Sequence, residues 1–580
     1  MTPKDYFSSQ PHPYKKRYDA LHAFFNQGHS AKQCAEKFGY SLSAFYSLTR
    51  DFHKHLKEKP NEDFFFKRIS LGRKPAKINQ LTEMIIELRE NNHSAEDIVG
   101  IVNAKDHPVS YGYVYNLLNK QGFARLPRRS QEEKMNLTPR IVAPISKQLK
   151  ITGESFHSHS TGVLAFIPLI KKYQLDHIIE KSLYPQTKSI NKLSSILSFL
   201  ALKISNVKRY SKDDIWCMDR GLGLLAGLNV LPKAAWLSSY SSRVTKAMNL
   251  SFLRALHKVW QENEMLCDTA NLDFTTIPYW GDHAHLENNW SGKRNKALPG
   301  MLAVLAQDPD TGIIDYANSD VMHQNQSKVV LEYLDFYRSD NKTCTLKYLV
   351  FDSKFTNYEN LSRLDDDQIK FITIRRRGKN IMESVKNRRD FKTIRVEAAG
   401  LKKRSIKILD ENISLKGYGD KKQLKTIRQI TITGHGKIKP ALIITNDFQI
   451  ATEHIVRKYS QRWLVEKGIS EQIDFFHLNK VSSSMVIKVD FDLTMSILAH
   501  NLYRLFAKEL GRYSHFSDER IYNKFIANNG MVRIGKDTID VELKKKRELP
   551  KLIEVLEKMP QSKCQWLGAL KLNFIPSATS

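Results

Sequence analysis

The sequence predicts an α/β protein in which a mixed sheet with helices follows two small all-α units. Three observations support this class. Helical patterns occur at residues 19–52 and 78–122, strand-like runs that begin near residue 270 then alternate with helical ones, and a basic β-rich stretch interrupts the alternation at 375–440. Strands that alternate with helices after an initial meander are typical of a sheet of mixed direction.

The composition indicates a multidomain protein with a polyanionic partner. At roughly 150 residues per domain, the length suggests about three to five domains. The 91 lysines and arginines outnumber the 61 acidic residues, and a net charge of +30 favours nucleic acid or an anionic membrane. We expect no membrane span, because no apolar run approaches the roughly 20 residues that one needs. Scattered cysteines without a C-x-x-C pair argue against a disulfide framework or a cysteine zinc site.

The first predicted unit, residues 1–65, has the short three-helix plan of a helix-turn-helix. Ser30 and Ser41 are suitable N-caps for its second and third helices. The third helix would read DNA, with Tyr46 and Arg50 as candidate contacts. A single triplet of this kind is equally compatible with an ordinary helical bundle.

A second unit, residues 72–128, repeats this plan after the basic arm Gly72-Arg73-Lys74-Pro75, which could lie in a minor groove. Two copies joined by a basic arm favour DNA binding over the bundle interpretation. The candidate DNA contacts of this unit are Arg73, Lys74, Ser110, Tyr111, Tyr113, Asn116, Arg128 and Arg129. A polar linker, 129–150, then leads to a helical scaffold at 151–268 in which no motif is found.

Strands and helices alternate beyond the scaffold. The turn-forming sequence Asp308-Pro309-Asp310-Thr311-Gly312 separates two β-rich runs and predicts a hairpin. The predicted strands are 271–276, 298–307, 313–319, 346–351, 369–374 and 441–445, and the predicted helices are 326–337, 357–365 and 452–476.

The interruption at 375–440 holds 20 basic and 6 acidic residues, so it carries nearly half of the excess charge. Its alternating runs are typical of edge strands of a small antiparallel sheet. A solvated charged face is the usual interpretation of such a run. Its position beside a candidate active site favours DNA binding instead, with Arg375, Arg376 and Arg377 as candidate contacts.

Two acids lie where strands of the predicted sheet would hold them. Asp273 is inside the apolar run 271–276, and Asp352 ends the run 346–351. A carboxylate at a buried strand is costly unless a cation or firm hydrogen bonds stabilise it. Each acid alone is also compatible with an aspartate that caps a loop.

The last predicted helix presents Tyr459, Arg462 and Glu466 on one face, at i, i+3 and i+7. Arg462 and Glu466 are also compatible with a simple i,i+4 surface pair. Glu471 is a rival, but it lies five residues beyond Glu466 and is rotated by about 140° from it. Two carboxylates on neighbouring strands and one from a helix can hold two Mg²⁺ ions about 3.5–4 Å apart, as in-line displacement at a phosphodiester requires.

A second group of possible ligands lies in a polar loop. Its members, Asp282, His283, His285 and Glu287, could bind zinc by residue type. No second ligand pair accompanies them, which favours an ordinary loop.

Six motifs occur in a fixed order along residues 270–510: L-D-F-T-T at 272–276, S-G-K-R-N-K at 291–296, L-V-F-D-S-K-F at 349–355, I-I-T-N-D at 443–447, Y-S-Q-R-W-L-V-E at 459–466 and H-N-L-Y-R-L at 500–505. As an ordered set they resemble the DDE transposases of bacterial insertion sequences. In particular, they resemble the group whose RNase H-like domain is split by a β-rich insertion ahead of the catalytic glutamate.

The resemblance implies an RNase H-like catalytic domain at 269–374 and 441–510, split by the basic insertion 375–440 and followed by a C-terminal region, 511–580. It also implies that Asp273, Asp352 and Glu466 are catalytic ligands of two Mg²⁺ or Mn²⁺ ions, while Tyr459 and Arg462 hold DNA phosphates. Ile473 replaces a lysine that is frequent in the family, and Lys467 or Lys480 could take its place.

The implied partners are double-stranded DNA, both the terminal inverted repeats of the element and the target, and further copies of the chain in a dimer or larger synaptic assembly. The implied location is the bacterial cytoplasm, in association with the nucleoid. Three alternatives stay open: a transposase-derived DNA-binding regulator, an RNase H-fold nuclease that does not join DNA, and a structural protein bound to RNA or an anionic membrane.

Overall fold

The structure is a computed structural model. It describes residues 13–58, 64–65, 76–90, 93, 95–103, 107–121, 123, 154–207, 213–278, 286–291, 295–339, 345–397, 403–420, 423–434, 440–477, 486–560 and 562–577. The chain divides into two compact units, residues 1–79 and 80–580. No helix within the described ranges is long and apolar enough to cross a membrane.

The described part of the first unit begins with three helices: α1 (Pro13–Phe25), α2 (Ala31–Phe38) and α3 (Leu42–Glu58). Ser30 forms a capping box, in which its hydroxyl accepts from the Gln33 amide and the Gln33 side chain accepts from the Ser30 amide. Gly39 ends α2 at φ 63°, a left-handed conformation that glycine adopts without strain. The buried side chains include Cys34 and Phe45. The helices lie where the sequence predicts them, and their role as a DNA reader stays a prediction.

A second triplet follows: α4 (Ala76–Glu90), α5 (Ala95–Asn103) and α6 (Tyr111–Lys120). Ser110 caps α6 by accepting from the Tyr113 amide. Ile85, Ile98 and Val114 meet in a small apolar core. Arg73, Lys74, Arg128 and Arg129 lie outside the described residues.

The predicted scaffold is helical, but it also supplies a strand to a sheet that the sequence did not indicate. Its elements are β1 (Ser155–Ser158), α7 (Ile167–Lys172), α8 (Leu175–Lys181), α9 (Lys192–Ile204), α10 (Arg220–Leu225), α11 (Ala234–Ser241) and α12 (Lys246–Glu262). The other three strands of that sheet lie near the end of the sequence: β12 (Gly530–Ile534), β13 (Thr538–Leu543) and β14 (Lys571–Pro576). Strand β1 pairs with β12, and the order of the sheet is β1-β12-β13-β14.

The larger sheet is mixed, as the sequence predicted. Its ten strands are β2 (Thr269–Pro278), β3 (Asn288–Ser291), β4 (Lys296–Gln307), β5 (Ile314–Asn318), β6 (Tyr348–Phe351), β7 (Lys370–Ile374), β8 (Lys392–Glu397), β9 (Lys403–Asp420), β10 (Gln423–Thr433) and β11 (Ala441–Thr445). The order is β3-β4-β2-β6-β7-β11-β10-β9-β8, with β5 beside β4. Strands β2, β6 and β7 are parallel to one another, and the described pairings around them are antiparallel.

The basic insertion is not the small separate sheet that its pattern predicted. Its strands are antiparallel, but β10 pairs with β11, so β8, β9 and β10 extend the main sheet. A helix, α15 (Lys379–Asn387), precedes them. The extension is stable because Ile408 and Ile430 join one apolar cluster with Ile443 and Ile455.

Six further helices complete the described fold: α13 (Val329–Arg338), α14 (Tyr358–Asp366), α16 (Thr452–Phe475), α17 (Val486–Glu509), α18 (Asp518–Ile521) and α19 (Leu549–Lys558). Helix α16 packs against β2, β6, β7 and β8, which brings it across the middle of the large sheet. The apolar side chains of α17, including Phe491, Leu498 and Leu502, are buried in the main core. Helix α16 is therefore the element that can bring side chains to the acids on β2 and β6.

Candidate active site

The structure brings Asp273 and Asp352 together. Strands β2 and β6 are parallel neighbours, and their register pairs Leu272 with Phe351. The next position on each strand is therefore Asp273 and Asp352. Neighbouring strands lie about 4.8 Å apart, and residues at matching positions point to the same face of the sheet. Asp273 is buried and Asp352 is partly buried.

The turn after β6 holds Asp352 in place. The Ser353 amide donates to Asp352 Oδ1 at 2.6 Å, and the Phe355 amide donates to the Asp352 carbonyl at 3.1 Å. The Phe355 ring stacks on Phe274 of β2 with a centroid distance of 3.9 Å. This stack fixes the turn against the strand that carries Asp273.

Helix α16 places Arg462 and Tyr459 against these acids. Arg462 Nη1 donates to Asp273 Oδ2 at 3.1 Å, and both side chains are buried. The Arg462 guanidinium lies 5.4 Å from the centre of the Tyr459 ring. Burial raises the pKa of Tyr459 to about 12; the Arg462 charge opposes the rise, and the charges of Asp352 and Asp273 add to it. The Tyr459 hydroxyl therefore stays a hydrogen-bond donor at neutral pH.

Glu466 lies on the same helix, one turn beyond Arg462. Its side chain lies outside the described residues, as do those of Lys467, Glu471 and Ile473. Residues four apart on a helix share a face. The backbone of α16 thus directs position 466 to the same side as Arg462, while the choice between Glu466 and Glu471 stays a prediction.

Lys458, which the sequence did not single out, fastens α16 to the start of β2. Its Nζ donates to Thr269 Oγ1 at 2.7 Å and lies 3.7 Å from Asp268 Oδ1. It also lies 4.4 Å from the centre of the Tyr348 ring. The Tyr348 hydroxyl in turn donates to Asp447 Oδ2 at 2.6 Å. No local sequence pattern points to these contacts, because they join α16 to β2 and β6, which are far from it in the sequence.

Arg428 of the insertion holds the chain at the beginning of α16. Its Nε and Nη2 donate to the Asp410 carboxylate at 3.0 and 2.7 Å. Its Nη1 donates to the carbonyls of Asp447 and Ile450 at 3.2 and 2.7 Å, and its Nη2 donates to Thr452 Oγ1 at 3.0 Å. Burial acts to raise the pKa of Asp410, but hydrogen bonds from Arg428 and Thr452 hold it below its ordinary value. Arg428 therefore links the insertion to the start of α16 through one network of hydrogen bonds.

Asn271 is an unsatisfied polar residue beside the site. It lies between Thr269 and Asp273 on the face of β2 that meets α16, since side chains two apart on a strand share a face. It is completely buried, and neither atom of its amide has a hydrogen-bond partner among the described residues. Buried amides are normally paired, so this one is an exception within the site.

The alternative zinc group is mostly outside the described residues, which include Glu287 but not Asp282, His283 or His285. The Glu287 carboxylate accepts from the backbone amide of His323 at 2.9 Å and lies 3.9 Å from that residue's ring. This bond gives Glu287 a structural role at the edge of the sheet.

A different group of potential ligands, Cys267, Asp308 and Asp310, lies within 4.8 Å. Asp308 belongs to the predicted hairpin turn, and its carboxylate accepts from the amides of Cys267, Asp310 and Thr311. Burial and neighbouring acids raise the pKa of the Cys267 thiol to about 11. The thiol is protonated, and the Asp308 carboxylate already accepts hydrogen bonds from backbone amides. These features are typical of a stabilised turn and do not favour a metal site.

The candidate DNA contacts are mostly accessible. Tyr46, Arg50, Tyr111, Tyr113, Asn116, Arg376 and Arg377 are exposed. The hydroxyl of Ser110 is engaged in capping α6. Arg375 is partly buried, and its Nη1 donates to Gln429 Oε1 at 2.8 Å. Ser110 and Arg375 therefore have structural roles that the sequence did not indicate.

Comparison with known proteins gives one family match. Residues 271–502 match the family model of the transposase DDE domain, a range that contains Asp273, Asp352 and Glu466. The chain is also similar to a cryo-EM structure of a piggyBac transposase synaptic complex with hairpin DNA, at 12% identity and a TM-score of 0.32, over 59% of this chain and 75% of that one. None of the curated protein sequences matches this chain.

Proposed function

We propose that this chain, whose residues 271–502 match the family model of the transposase DDE domain, is a DNA transposase that binds the ends of a mobile element, cuts them and joins them to target DNA. The observation that carries the proposal is the register of β2 and β6, which sets Asp273 and Asp352 side by side under α16. These residues are far apart along the chain, but the register places them at matching positions of neighbouring strands, on the same face of the sheet.

The residues present suit divalent metal ions. Carboxylate oxygens are the ligands that Mg²⁺ and Mn²⁺ prefer, and Asp273, Asp352 and Glu466 would supply them. Two such ions, when bound, would polarise the phosphodiester and stabilise the attacking and leaving oxygens. In the sheet, the stack of Phe274 on Phe355 keeps the two aspartates in register.

The side chains of α16 would bind the DNA backbone. The Arg462 guanidinium offers paired donors that match a phosphate, and the protonated Tyr459 hydroxyl can donate to a phosphate oxygen. Lys458 and Arg428 keep the helix at a fixed height over the sheet through their contacts with Thr269 and Thr452. The chain thus orients a phosphate over the two acids without a covalent protein nucleophile.

We further infer that the catalytic part is RNase H-like and that the two N-terminal helical triplets are helix-turn-helix units. We also infer that the basic insertion binds DNA phosphates. Exposed Tyr46, Arg50, Tyr111 and Asn116 would contact the element's ends, while Arg376 and Arg377 would neutralise backbone charge. Such a protein would act on chromosomal DNA in the bacterial cytoplasm, as a dimer or larger assembly when two ends are paired.

The test is a cleavage and strand-transfer assay on DNA carrying the terminal repeats that flank the gene. Asp273→Asn, Asp352→Asn and Glu466→Gln should each abolish cutting in Mg²⁺ or Mn²⁺ without weakening end binding measured in the absence of divalent ions, because most of the proposed end contacts lie outside the site. If a variant still cuts DNA, the residue that it replaces is not part of the active site.

The same assay separates the alternatives. Binding without any cutting would identify a regulator, and cutting without joining of a pre-cut 3′-hydroxyl end would identify a nuclease. A matched control is Asp537→Asn, an exposed aspartate in the C-terminal sheet region, which should cut and join normally.

A further inference from the structure

The Arg462 and Asp273 side chains form a buried ion pair at the centre of the proposed site. Arg462 Nη1 and Asp273 Oδ2 are 3.1 Å apart, and the two side chains are only 4% and 9% exposed. The other oxygen, Asp273 Oδ1, accepts from the Phe274 amide at 2.9 Å. Both oxygens of this carboxylate are therefore engaged by the chain itself.

This arrangement conflicts with metal binding at the same carboxylate. A guanidinium at hydrogen-bonding distance occupies one acceptor site of Asp273 Oδ2, and its positive charge repels a second cation in a poorly solvated site. A metal ion can bind Asp273 well only after the Arg462 guanidinium has moved away from Oδ2. The backbone of α16 need not move, since Lys458 and Arg428 tie it to the sheet by hydrogen bonds that do not involve Arg462.

DNA offers the guanidinium another anion. Phosphate oxygens match the two-pronged geometry of arginine as well as a carboxylate does. Arg462 and the partly buried Tyr459 share one side of α16, so a phosphate that reaches Tyr459 is also within reach of a rotated Arg462 side chain.

We propose that Arg462 is an exchangeable counter-ion of Asp273: it neutralises the carboxylate in the DNA-free protein and releases it to a divalent ion when a DNA phosphate takes the guanidinium. The inference rests on the proposed function and adds a regulatory step to it. Metal and end DNA then bind cooperatively, and linkage requires that each raises the affinity of the other by the same factor. The free enzyme is thereby protected from loading metal before DNA is in place.

The test is Mn²⁺ binding to the full-length protein without DNA, measured by calorimetry and by the electron paramagnetic resonance signal of free Mn²⁺. Arg462→Gln should bind Mn²⁺ at least about tenfold more tightly than the native protein, the size of effect that an adjacent charge has on a carboxylate. The matched control is Arg457→Gln, which removes an equal charge from an exposed position on the same helix and should change the affinity by less than twofold.

Two further variants keep the outcome interpretable. Arg462→Lys retains the positive charge and protects against misfolding caused by an unpaired buried aspartate, and its Mn²⁺ affinity should lie between those of the native protein and Arg462→Gln. In the native protein a terminal-repeat duplex should tighten Mn²⁺ binding, and Mn²⁺ should tighten duplex binding equally.

Equal DNA-free affinities for the native protein, Arg462→Gln and Arg462→Lys would overturn the exchange. A gain in Arg457→Gln as large as that in Arg462→Gln would also overturn it, because the effect would then be general charge. If Asp273→Asn and Asp352→Asn leave Mn²⁺ binding unchanged with and without DNA, the proposed metal site itself fails. That result is distinct from failure of the exchange, in which the aspartates bind metal but Arg462 does not compete.

Discussion

At the scale of single residues, Asn271 and Asn249 make an informative pair, because both are buried asparagines near acids. Asn249 is fully bonded: its Oδ1 accepts from the Tyr184 hydroxyl at 3.0 Å, and its Nδ2 donates to Asp490 at 2.7 Å. The Asn271 amide has no partner among the described residues. An unpaired buried amide costs about 1–3 kcal/mol of folding free energy, whereas a paired one contributes to stability.

Replacing Asn271 with leucine should therefore stabilise the protein. We expect Asn271→Leu to raise the free energy of unfolding by about 1 kcal/mol, because an apolar side chain of similar volume removes the desolvation cost. Asn249→Leu should lower it by about 2–3 kcal/mol, since it removes the donor to the buried Asp490 Oδ2 and the acceptor of the Tyr184 hydroxyl. Urea unfolding at neutral pH measures both. Destabilisation by Asn271→Leu would mean that the amide is bonded, for example to a buried water.

These residues also mark how far the sequence could predict the site. Asp273 and Asp352 could be found because each interrupts or ends an apolar strand, a local signal. Lys458, Arg428 and Asn271 could not, since their roles depend on partners in distant parts of the chain. The i, i+3 spacing of Tyr459 and Arg462 predicted a shared face, but only the packing of α16 shows that this face meets Asp273.

At the scale of elements, the position of α16 depends on a residue outside it. Arg428 of β10 donates to the Ile450 carbonyl and to Thr452 Oγ1, at the point where the helix begins. Its side chain is mostly buried, and so is part of the Asp410 carboxylate that faces it. Removal of one member of such a pair leaves the other partly desolvated and unpaired.

We expect Arg428→Met to lower the free energy of unfolding by about 3 kcal/mol and to reduce the cleavage rate more than it reduces DNA affinity. The physical reason is that the start of α16 loses its attachment while the exposed DNA contacts remain. Chemical unfolding, duplex binding and single-turnover cleavage measure the three quantities. The matched control, Arg395→Met on the exposed face of β8, should stay within about 0.5 kcal/mol. Equal effects of the two substitutions would show that Arg428 does not position the helix.

A second link between elements joins α17 to α18. Asp518 is buried and accepts from His500 Nδ1 at 2.6 Å and from Arg504 Nη2 at 2.7 Å. Burial alone would raise the pKa of Asp518, but the charges and hydrogen bonds of His500 and Arg504 hold it below its ordinary value.

The lowered pKa fixes the sign of a pH dependence. The folded form of Asp518 releases its proton more readily than the unfolded form, so its contribution to stability is complete above the ordinary aspartate pKa of 3.8 and is lost as pH falls through the folded value. We expect Asp518→Asn to cost about 3–5 kcal/mol at pH 7 and progressively less below pH 3.8. Urea unfolding at a series of pH values measures this, with exposed Asp537→Asn as the control. A cost that does not shrink in acid would exclude ionised Asp518 as its source.

The order of the sheets shows why some elements could not be predicted. The runs of the insertion indicated antiparallel strands correctly, but strand patterns do not specify a partner, and the pairing of Ile430 with Ile443 arises from packing under α16. Strand β1 is only four residues long, and its partner β12 lies near the other end of the sequence. Such a pairing leaves no local signal.

At the scale of the whole molecule, charge is concentrated in two parts of the chain. Residues 375–440 carry a net +14 and residues 1–150 a net +10, out of +30 in all. Both parts contain candidate DNA contacts, whereas residues 269–374, which include Asp273 and Asp352, hold 10 basic and 15 acidic residues, a net of −5. The residues that attract DNA over a long range thus lie in different parts of the chain from the candidate catalytic acids. Substitutions can therefore change the two sets independently.

The salt dependence of end binding should show which of these charges meet phosphates. Each phosphate neutralised contributes about −0.9 to the slope of log affinity against log salt concentration. Arg376 and Arg377 are exposed, and we expect the double substitution Arg376→Gln with Arg377→Gln to make the slope shallower by about 1.8, the contribution of two phosphates. Fluorescence anisotropy of a labelled terminal-repeat duplex between about 50 and 300 mM salt gives the slope.

Arg388 is the control for that measurement, because it is a nearby arginine of the same insertion whose charge is already used within the protein. It lies 2.7 Å from Asp390 and 3.2 Å from Glu411. Release of condensed ions from DNA requires a cation that the protein does not already neutralise, so Arg388→Gln should change the slope by much less than 0.9. Equal slopes for the Arg376/Arg377 double variant and the native protein would remove this surface from the DNA interface. An equally large change in Arg388→Gln would mean that net charge, and not contact, determines how strongly the chain holds DNA.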